Sequence, residues 1–413
     1  MIKVGIIGAG HRGRQTYGTL MKKFGCQISG VCDTDPIKLA VAREEYNLDN
    51  EYLFENKEDF FKKLDKEQFC NALIIATPDK DHYETVMKAL DYDLDILLEK
   101  PICQTKEEAI NISKKAAGSK NVLMMCYVLR YAPFYRNLKE ILDSGEIGDI
   151  MSIVHNENIG YYHFAHSFVR GNWGNEKRSS PLILQKSCHD MDILLYLTGS
   201  RPKSINSYGS LSYFKEARQP KGAADRCLDC KFKETCIYSA PKFYGNLPLS
   251  GWRLVVTEDK TELGLEKALR EGPFGRCVWK CDNDVCDHQA ISIDFENDIS
   301  AVFNLSAFSN EIHRNIKIQG TKGEIIGDDL DGEIEVNLFG SDKKTIYKKV
   351  KVNGSHGGGD EELIKAFIAA IKGDKEAVKT GAQESIMSHL MCFASEVSRK
   401  ENIRVNIKDY IEK

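Results

Sequence analysis

Met1-Ile2-Lys3-Val4-Gly5-Ile6-Ile7-Gly8-Ala9-Gly10-His11-Arg12-Gly13 joins an apolar run to three glycines spaced as G-x-G-x-x-G. Residues 3–7 predict a buried strand, and the periodic stretch 12–24 predicts a helix directly after the glycines. In that setting each glycine has its own role. Gly8 permits the tight turn, Gly10 lets a pyrophosphate approach the backbone, and Gly13 lets helix and strand pack closely. His11 and Arg12 lie on the same loop, where the helix N-terminus presents unpaired N–H groups and partial positive charge to an anion. Asp33 ends the next predicted strand, 20 residues after Gly13. A carboxylate there accepts both ribose hydroxyls and repels a 2′-phosphate, so the loop reads as a site for NAD rather than NADP.

Outward from this loop, apolar runs at 3–7, 28–32, 72–76, 96–98 and 122–126 alternate with helix-like stretches at 12–24, 36–46, 57–63, 81–90 and 106–117. Strands that alternate with helices imply a parallel doubly wound sheet, because parallel neighbours need crossover connections. The expected fold class is α/β, with an N-terminal Rossmann sheet in residues 1–127 and a C-terminal α+β domain in 128–413 built on a mixed, largely antiparallel sheet. The second domain's predicted helices cover 133–143, 187–197, 361–372 and 383–400, and its predicted strands 150–156, 290–295, 299–306 and 315–320. Gly357-Gly358-Gly359 reads as a hinge, and residues 210–287, irregular and holding six cysteines, read as an insertion.

A chain of 413 residues exceeds the roughly 250 to 300 at which single cores stop growing, which calls for two domains. With 42% hydrophobic and 29% charged residues and no apolar run near the roughly 20 residues of a membrane span, a soluble globular protein is expected and a membrane protein is not. Lys and Arg number 57 against 61 Asp and Glu, with no basic block to track a phosphate backbone, so nucleic acid is not an expected partner. The first ten residues carry strand and glycine-loop chemistry instead of an export signal, which predicts a cytoplasmic protein whose thirteen cysteines stay reduced.

Two further motifs accompany the glycine loop: Ala76-Thr77-Pro78 with His82, and Glu99-Lys100-Pro101 after a strand near residue 97. Together the three resemble the Gfo/Idh/MocA oxidoreductase family, and the likeness extends over most of the chain apart from the insertion. It takes in Arg130-Tyr131-Ala132-Pro133 at the start of the second domain, His189-x-x-Asp192 on a substrate-contacting helix, and Gly359-Asp360-Glu361 at the start of a late helix. The resemblance implies that Lys100 sits beside nicotinamide and substrate and that His189 is catalytic. It places Arg130, Tyr131 and Asp192 with the substrate-binding residues, and it implies a homodimer or homotetramer joined through the open face of the second sheet. Elementary chemistry agrees on the lysine, since hydride leaves carbon as oxygen loses a proton, and a lysine or histidine within hydrogen-bond reach takes that proton. The chain departs from the family four residues before the histidine, where an aspartate commonly pairs with the lysine: here stands Gln185, followed by Lys186. This predicts that Lys186 shares the base role with Lys100 and His189, because neighbouring ammonium groups lower each other's pKa.

The stretch His163-Phe164-Ala165-His166-Ser167-Phe168-Val169-Arg170-Gly171-Asn172-Trp173 has no clear apolar stripe. As a polar loop it predicts a site for a hydroxylated ring: His163 and His166 bond hydroxyls, Trp173 packs on C–H faces, and Arg170 clamps an anionic substituent. In the insertion, Cys227-x2-Cys230-x5-Cys236 and Cys277-x3-Cys281-x4-Cys286 place six thiols, with His288 just beyond. The spacing predicts a structural zinc clip from Cys227, Cys230, Cys236 and one of Cys277, Cys281 or Cys286, with Cys281 as first choice and an iron–sulfur cluster as the alternative.

The expected activity is that of an NAD-dependent oxidoreductase on a secondary hydroxyl of a sugar, cyclitol or glycoside, its partner a small-molecule sugar or polyol. The same resemblance implies an alternative, an NAD-dependent glycosidase in which transient oxidation of a sugar hydroxyl acidifies the neighbouring C–H and the glycosidic bond leaves by elimination.

Overall fold

The alternating runs form a parallel sheet of β1 (Lys3–Ile7), β2 (Gln27–Cys32), β3 (Leu53–Phe54), β4 (Ala72–Ile75), β5 (Asp95–Leu98) and β6 (Leu123–Met125) in the computed structural model, which describes residues 1–342, 344–348 and 355–412. The strand order is β3-β2-β1-β4-β5-β6, and every neighbouring pair is parallel. Helices cover both faces, so the central strands are apolar throughout: all four side chains of β4 are fully buried, Ile74 and Ile75 each contributing on the order of 2 kcal/mol. The helices between strands begin where local chemistry allows. Asp35 caps Pro36–Tyr46 by accepting from the Ile37 N–H at 2.9 Å, and Thr105 and Glu108 form a capping box on Lys106–Ala117.

Strand order reverses between β1 and β4, which opens a crevice at the carboxyl ends of the strands, and the loops after β1, β4 and β5 share that edge. The outer edge at β6 is covered by returning chain: the Met125 N–H donates to the Thr380 carbonyl, and the Thr380 hydroxyl donates to the Met125 carbonyl, both at 2.8 Å.

The second sheet holds β7 (Ile150–Asn158), β8 (Pro202–Ser210), β9 (His288–Phe295), β10 (Ser300–Ser306), β11 (His313–Gly320), β12 (Gly323–Asp328), β13 (Glu333–Leu338), β14 (Lys344–Lys348) and β15 (Val405–Asn406). Its order is β14-β13-β12-β11-β7-β10-β9-β8-β15, antiparallel throughout except for the β7/β10 pair. Exposure alternates along β9 and β10, because one face packs on helices Leu182–Thr198 and Ala382–Glu401 while the other stays open.

Two local expectations change. The helix expected at 187–197 begins at Leu182, directly after Pro181, and so carries Gln185 and Lys186 within its first turns. The stretch 163–173, expected as a polar loop, is helical over Tyr161–Phe164, Ala165–Arg170 and Asn172–Gly174, and every residue from Ala165 to Arg170 is buried. The insertion between β8 and β9 covers it. That segment is more ordered than its composition predicts, with helices Ala240–Gly245, Trp252–Val256 and Glu262–Glu271 around a small core of Ala240, Tyr244, Leu265 and Leu269.

Candidate active site

Three loops at the carboxyl edge of the parallel sheet form a cradle. Gly8 adopts φ +98°, and a Cβ there would lie 2.5 Å from the Ala76 carbonyl oxygen, so the loops after β1 and β4 meet only because residue 8 is glycine. A Cβ on Gly13 would lie 1.9 Å from the Gly8 carbonyl oxygen, whereas one on Gly10 would meet nothing within 4 Å. The outer glycines serve packing, and the middle one leaves room for an anion at the helix N-terminus. Asp33 stands behind the loop, accepting from the N–H groups of Ala9 and Asp35 at 2.8 and 2.9 Å, with oxygen lone pairs left for a ribose. Thr77 Oγ1 is buried in the second loop without a partner among the described residues. An open anion seat, a carboxylate one strand away and an unpartnered hydroxyl fit a dinucleotide. His82 locks the second loop to the third, its ring nitrogens 2.7 Å from the Pro101 carbonyl and 2.9 Å from that of Thr77.

Lys100 Nζ donates to the main-chain oxygen of Gln185 at 2.7 Å, which ties the third loop to helix Leu182–Thr198. The Gln185 side chain goes elsewhere, to Ser179 Oγ at 2.6 Å and to the buried carboxylate of Asp79. In this chain the lysine is therefore held by a carbonyl where the family commonly offers a carboxylate. One turn on, His189 is 6% exposed, and its Nδ1 has no partner among the described residues. Tyr127 lies edge-on to that ring at 5.5 Å, and His356 lies 6.3 Å away. Burial first, then the charges of Lys100 and Arg314, hold His189 well below the ordinary imidazole range. Burial and the Lys186 ammonium do the same to His163. Burial also lowers Lys186 itself, Glu157 opposing the shift and Arg314 and Lys100 adding to it. Neutral imidazoles beside two lysines make a site that accepts protons and stabilises an oxyanion.

Beneath Lys186 runs a buried charge chain that the sequence did not announce. Lys186 Nζ lies 3.1 Å from Glu157 Oε1, Glu157 Oε2 lies 2.5 Å from Arg314 Nη2, Arg314 Nε donates to Asp190 Oδ1 at 2.7 Å, and His155 Nε2 lies 2.9 Å from the same oxygen. Burial pushes Asp190 up, but Arg314 and His155 outweigh it and hold the carboxyl far below its usual range. The available signal was period two: His155 and Glu157 occupy alternate positions of β7 and share its buried face, while Lys186 and Asp190 stand one helical turn apart.

Other expected site residues are engaged elsewhere. Arg12 turns from the glycine loop to two buried carboxylates, its Nε 2.7 Å from Glu99 and Nη2 2.6 Å from Asp360; it braces the loops rather than the anion seat. His11 is exposed on the loop. Arg130 pairs through two hydrogen bonds, at 2.7 and 2.8 Å, with Asp192, and Tyr131 accepts from the Lys379 N–H at 3.0 Å, so the polar groups of these three are engaged within the chain. His166 bonds Tyr244 at 2.8 Å and stacks on Phe274 at 4.8 Å; Arg170 donates to the Arg276 and Tyr238 carbonyls at 2.7 and 2.6 Å; Trp173 is 42% exposed. Of that stretch only His163 faces the lysines, its ring stacked on Trp252 at 5.0 Å. The expected zinc clip is not formed either. Cys227, Cys230, Cys236 and Cys281 are free thiols, and among the described residues no group of three or more His, Cys, Asp or Glu converges to hold a single ion. The first three stand with Cys277 around a cavity, while Cys281 turns its thiol to the Cys277 carbonyl at 3.3 Å.

Two family profiles cover most of the chain: the oxidoreductase family NAD-binding Rossmann fold matches residues 2–127, and the oxidoreductase family C-terminal alpha/beta domain matches 139–405. YteT of Bacillus subtilis (strain 168), named as an oxidoreductase without a stated substrate, is 26% identical over 364 residues, 84% of this chain and 83% of YteT. The inositol 2-dehydrogenase of Corynebacterium glutamicum (strain R) is 26% identical over 209 residues, 49% of this chain and 56% of that enzyme, so the chain spans about half of that relative's length. Among solved structures, levoglucosan dehydrogenase in complex with NADH and levoglucosan superposes with a TM-score of 0.71 at 16% identity, covering 98% of this chain and 99% of that one. No helix among the described residues is long and apolar enough to cross a membrane. With both profiles matched in order along one chain, the protein belongs to the Gfo/Idh/MocA oxidoreductase family.

Proposed function

We propose that the protein is an NAD-dependent oxidoreductase that interconverts a secondary hydroxyl and a ketone on a sugar, cyclitol or glycoside. The observation that carries this reading is the meeting of Lys100 Nζ, held by the Gln185 carbonyl, with His189 and its unpartnered Nδ1 at the same sheet edge as the open Gly10 seat. Gly8, Gly10, Gly13, Asp33 and the Ala76–Thr77–Pro78 loop hold the dinucleotide, with Glu99, Lys100, Pro101 and His82 framing its nicotinamide end. NAD, when bound, takes up or returns the hydride. Lys100 takes the hydroxyl proton, His189 bonds the same oxygen, and Lys186 shares the work as a second cation beside the developing alkoxide. Residues 1–127 serve the cofactor, and 128–413 bind substrate and join copies into a dimer or tetramer. Inositol and levoglucosan dehydrogenases among the relatives support the substrate class.

A panel of sugars and cyclitols with NAD tests the reading: NADH absorbance appears with at least one member, and Lys100→Met lowers kcat by at least about 100-fold while NAD binding persists. A Lys100→Met rate equal to wild type removes the proposed role. Cleavage of an aryl glycoside without net NADH replaces the dehydrogenase reading by the glycosidase one.

A further inference from the structure

The turn that leads into helix Gly359–Ile371 carries a side chain that the hydride chemistry leaves unused. His356 has a left-handed backbone, φ +51° and ψ +37°, and Gly357 and Gly358 after it also have positive φ, +58° and +87°. Glycine fits such a conformation without a steric penalty, yet residue 356 is an imidazole. A side chain held where the backbone favours glycine is a mark of function.

The surroundings of the ring say where it works. His356 Nδ1 lies 3.0 Å from Asp360 Oδ2, the His189 ring is 6.3 Å away, and His11 on the glycine loop and Lys186 on helix Leu182–Thr198 are near enough to act on its charge. The His356 side chain is nevertheless 37% exposed. With the glycine loop on one side and the His189 helix on the other, the exposed part opens into the crevice between the Gly10 seat and the lysine site. Asp360 fixes the chemistry of the ring. Arg12 and His356 outweigh burial and hold the Asp360 carboxyl far below its usual range, so it is ionised and accepts the proton of Nδ1. Desolvation by the packed surroundings lowers the imidazole below its ordinary range; Asp360 opposes the shift, and Arg12 and Lys186 add to it. A neutral ring with its proton on Nδ1 leaves Nε2 as an acceptor, and Nε2 has no hydrogen-bond partner among the described residues. It accepts from an O–H and therefore reads a hydroxyl, not the carbonyl that oxidation produces.

We infer, building on the dehydrogenase reading, that His356 determines specificity: its Nε2 accepts from the substrate hydroxyl on the carbon next to the one oxidised, and Asp360 holds the ring for that contact. With the His189 and His356 rings 6.3 Å apart, each imidazole bonds one of two oxygens on neighbouring carbons, His189 the reacting one and His356 its neighbour. The substrate class narrows to vicinal diols, cyclitols and pyranoses among them, and an isolated secondary alcohol is a poor substrate.

Steady-state rates of the full chain with NAD and a panel of inositols, hexoses and levoglucosan, each beside its monodeoxy analogues, test this contact. His356→Gly deletes the ring and suits the left-handed backbone, so the fold is kept, and His356→Gln restores an acceptor at the reach of Nε2. For a diol that wild type oxidises, His356→Gly is expected to lower kcat/KM at least about tenfold, and His356→Gln to recover part of the loss. For the analogue that lacks the neighbouring hydroxyl, wild type and His356→Gly are expected to be equally slow. Equal losses on diol and analogue, or no loss on either, overturn the hydroxyl contact and leave the dehydrogenase reading, which Lys100→Met tests, standing. Where a sugar binds the NAD-loaded protein without turnover, calorimetric dissociation constants replace rates in the same comparison, and a panel in which nothing binds overturns both.

Discussion

His389 shows how one buried residue carries a pH dependence. It is fully buried, the Ile102 N–H donates to its Nε2 at 2.7 Å, and Nδ1 lies 3.1 Å from the Ser385 carbonyl, which makes Nε2 an acceptor and places the proton on Nδ1. Burial pushes its pKa down to about 4. Between pH 6.5 and pH 4 the unfolded chain binds a proton that the folded one refuses, so the contribution is complete above pH 6.5 and is lost as pH falls toward 4. The loss reaches about 3 kcal/mol. His389→Gln keeps an acceptor for Ile102 without titrating, and thermal melts from pH 7 to pH 4 are expected to fall less steeply than for wild type; parallel curves count against the assignment. At this scale the nearness of Lys100 and His189 was legible, because a motif and a helical position announce them. The ion-pair partners of Arg12, Arg130 and Asp192 were not legible, since a residue type names its chemistry but not its partner.

The glycine loop and strand β7 decide the element scale. Gly10→Ala adds a methyl group where space is open, so the melting temperature stays near wild type while NAD binding weakens at least about tenfold, a loss of about 1.4 kcal/mol. Gly13→Ala drives a Cβ into the Gly8 carbonyl and loses stability as well; calorimetry with and without NAD separates the two, and equal behaviour contradicts the division of labour. On β7, Glu157 sits fully buried between Lys186 and Arg314. Glu157→Gln leaves two cations without the carboxylate that separates them, and denaturant titration is expected to show a loss of about 3 kcal/mol. An unchanged midpoint would mean that the chain of charges adds no stability. The long parallel strands were legible from continuous apolar runs, whereas β3 has two residues and β12 to β14 alternate weakly with polar neighbours.

For the whole molecule, the open face of the second sheet bears on assembly. Ile346, Ile326, Val154 and Val302, each 40–47% exposed, belong to one cross-strand row, with Glu335 between the first two and Lys317 between Ile326 and Val154. A second copy that covers this row gives the proposed dimer or tetramer an apolar centre with charges interspersed. Light scattering of the purified protein is expected to show a dimer or tetramer that Val302→Glu dissociates; a wild-type monomer contradicts the proposal. By itself the sequence determined the two-sheet α/β class, the glycine cradle with Asp33, and the lysine after the fifth strand, because periodicity and glycine sterics act over a few residues. Only the tertiary structure decided that Lys100 meets a carbonyl of Gln185, that Glu157 counters Lys186, and that Arg170 bonds two main-chain carbonyls and the Cys227 thiol. Those outcomes depend on which distant elements pack together, and a side chain's partner is set by that packing, across gaps that local pattern does not span.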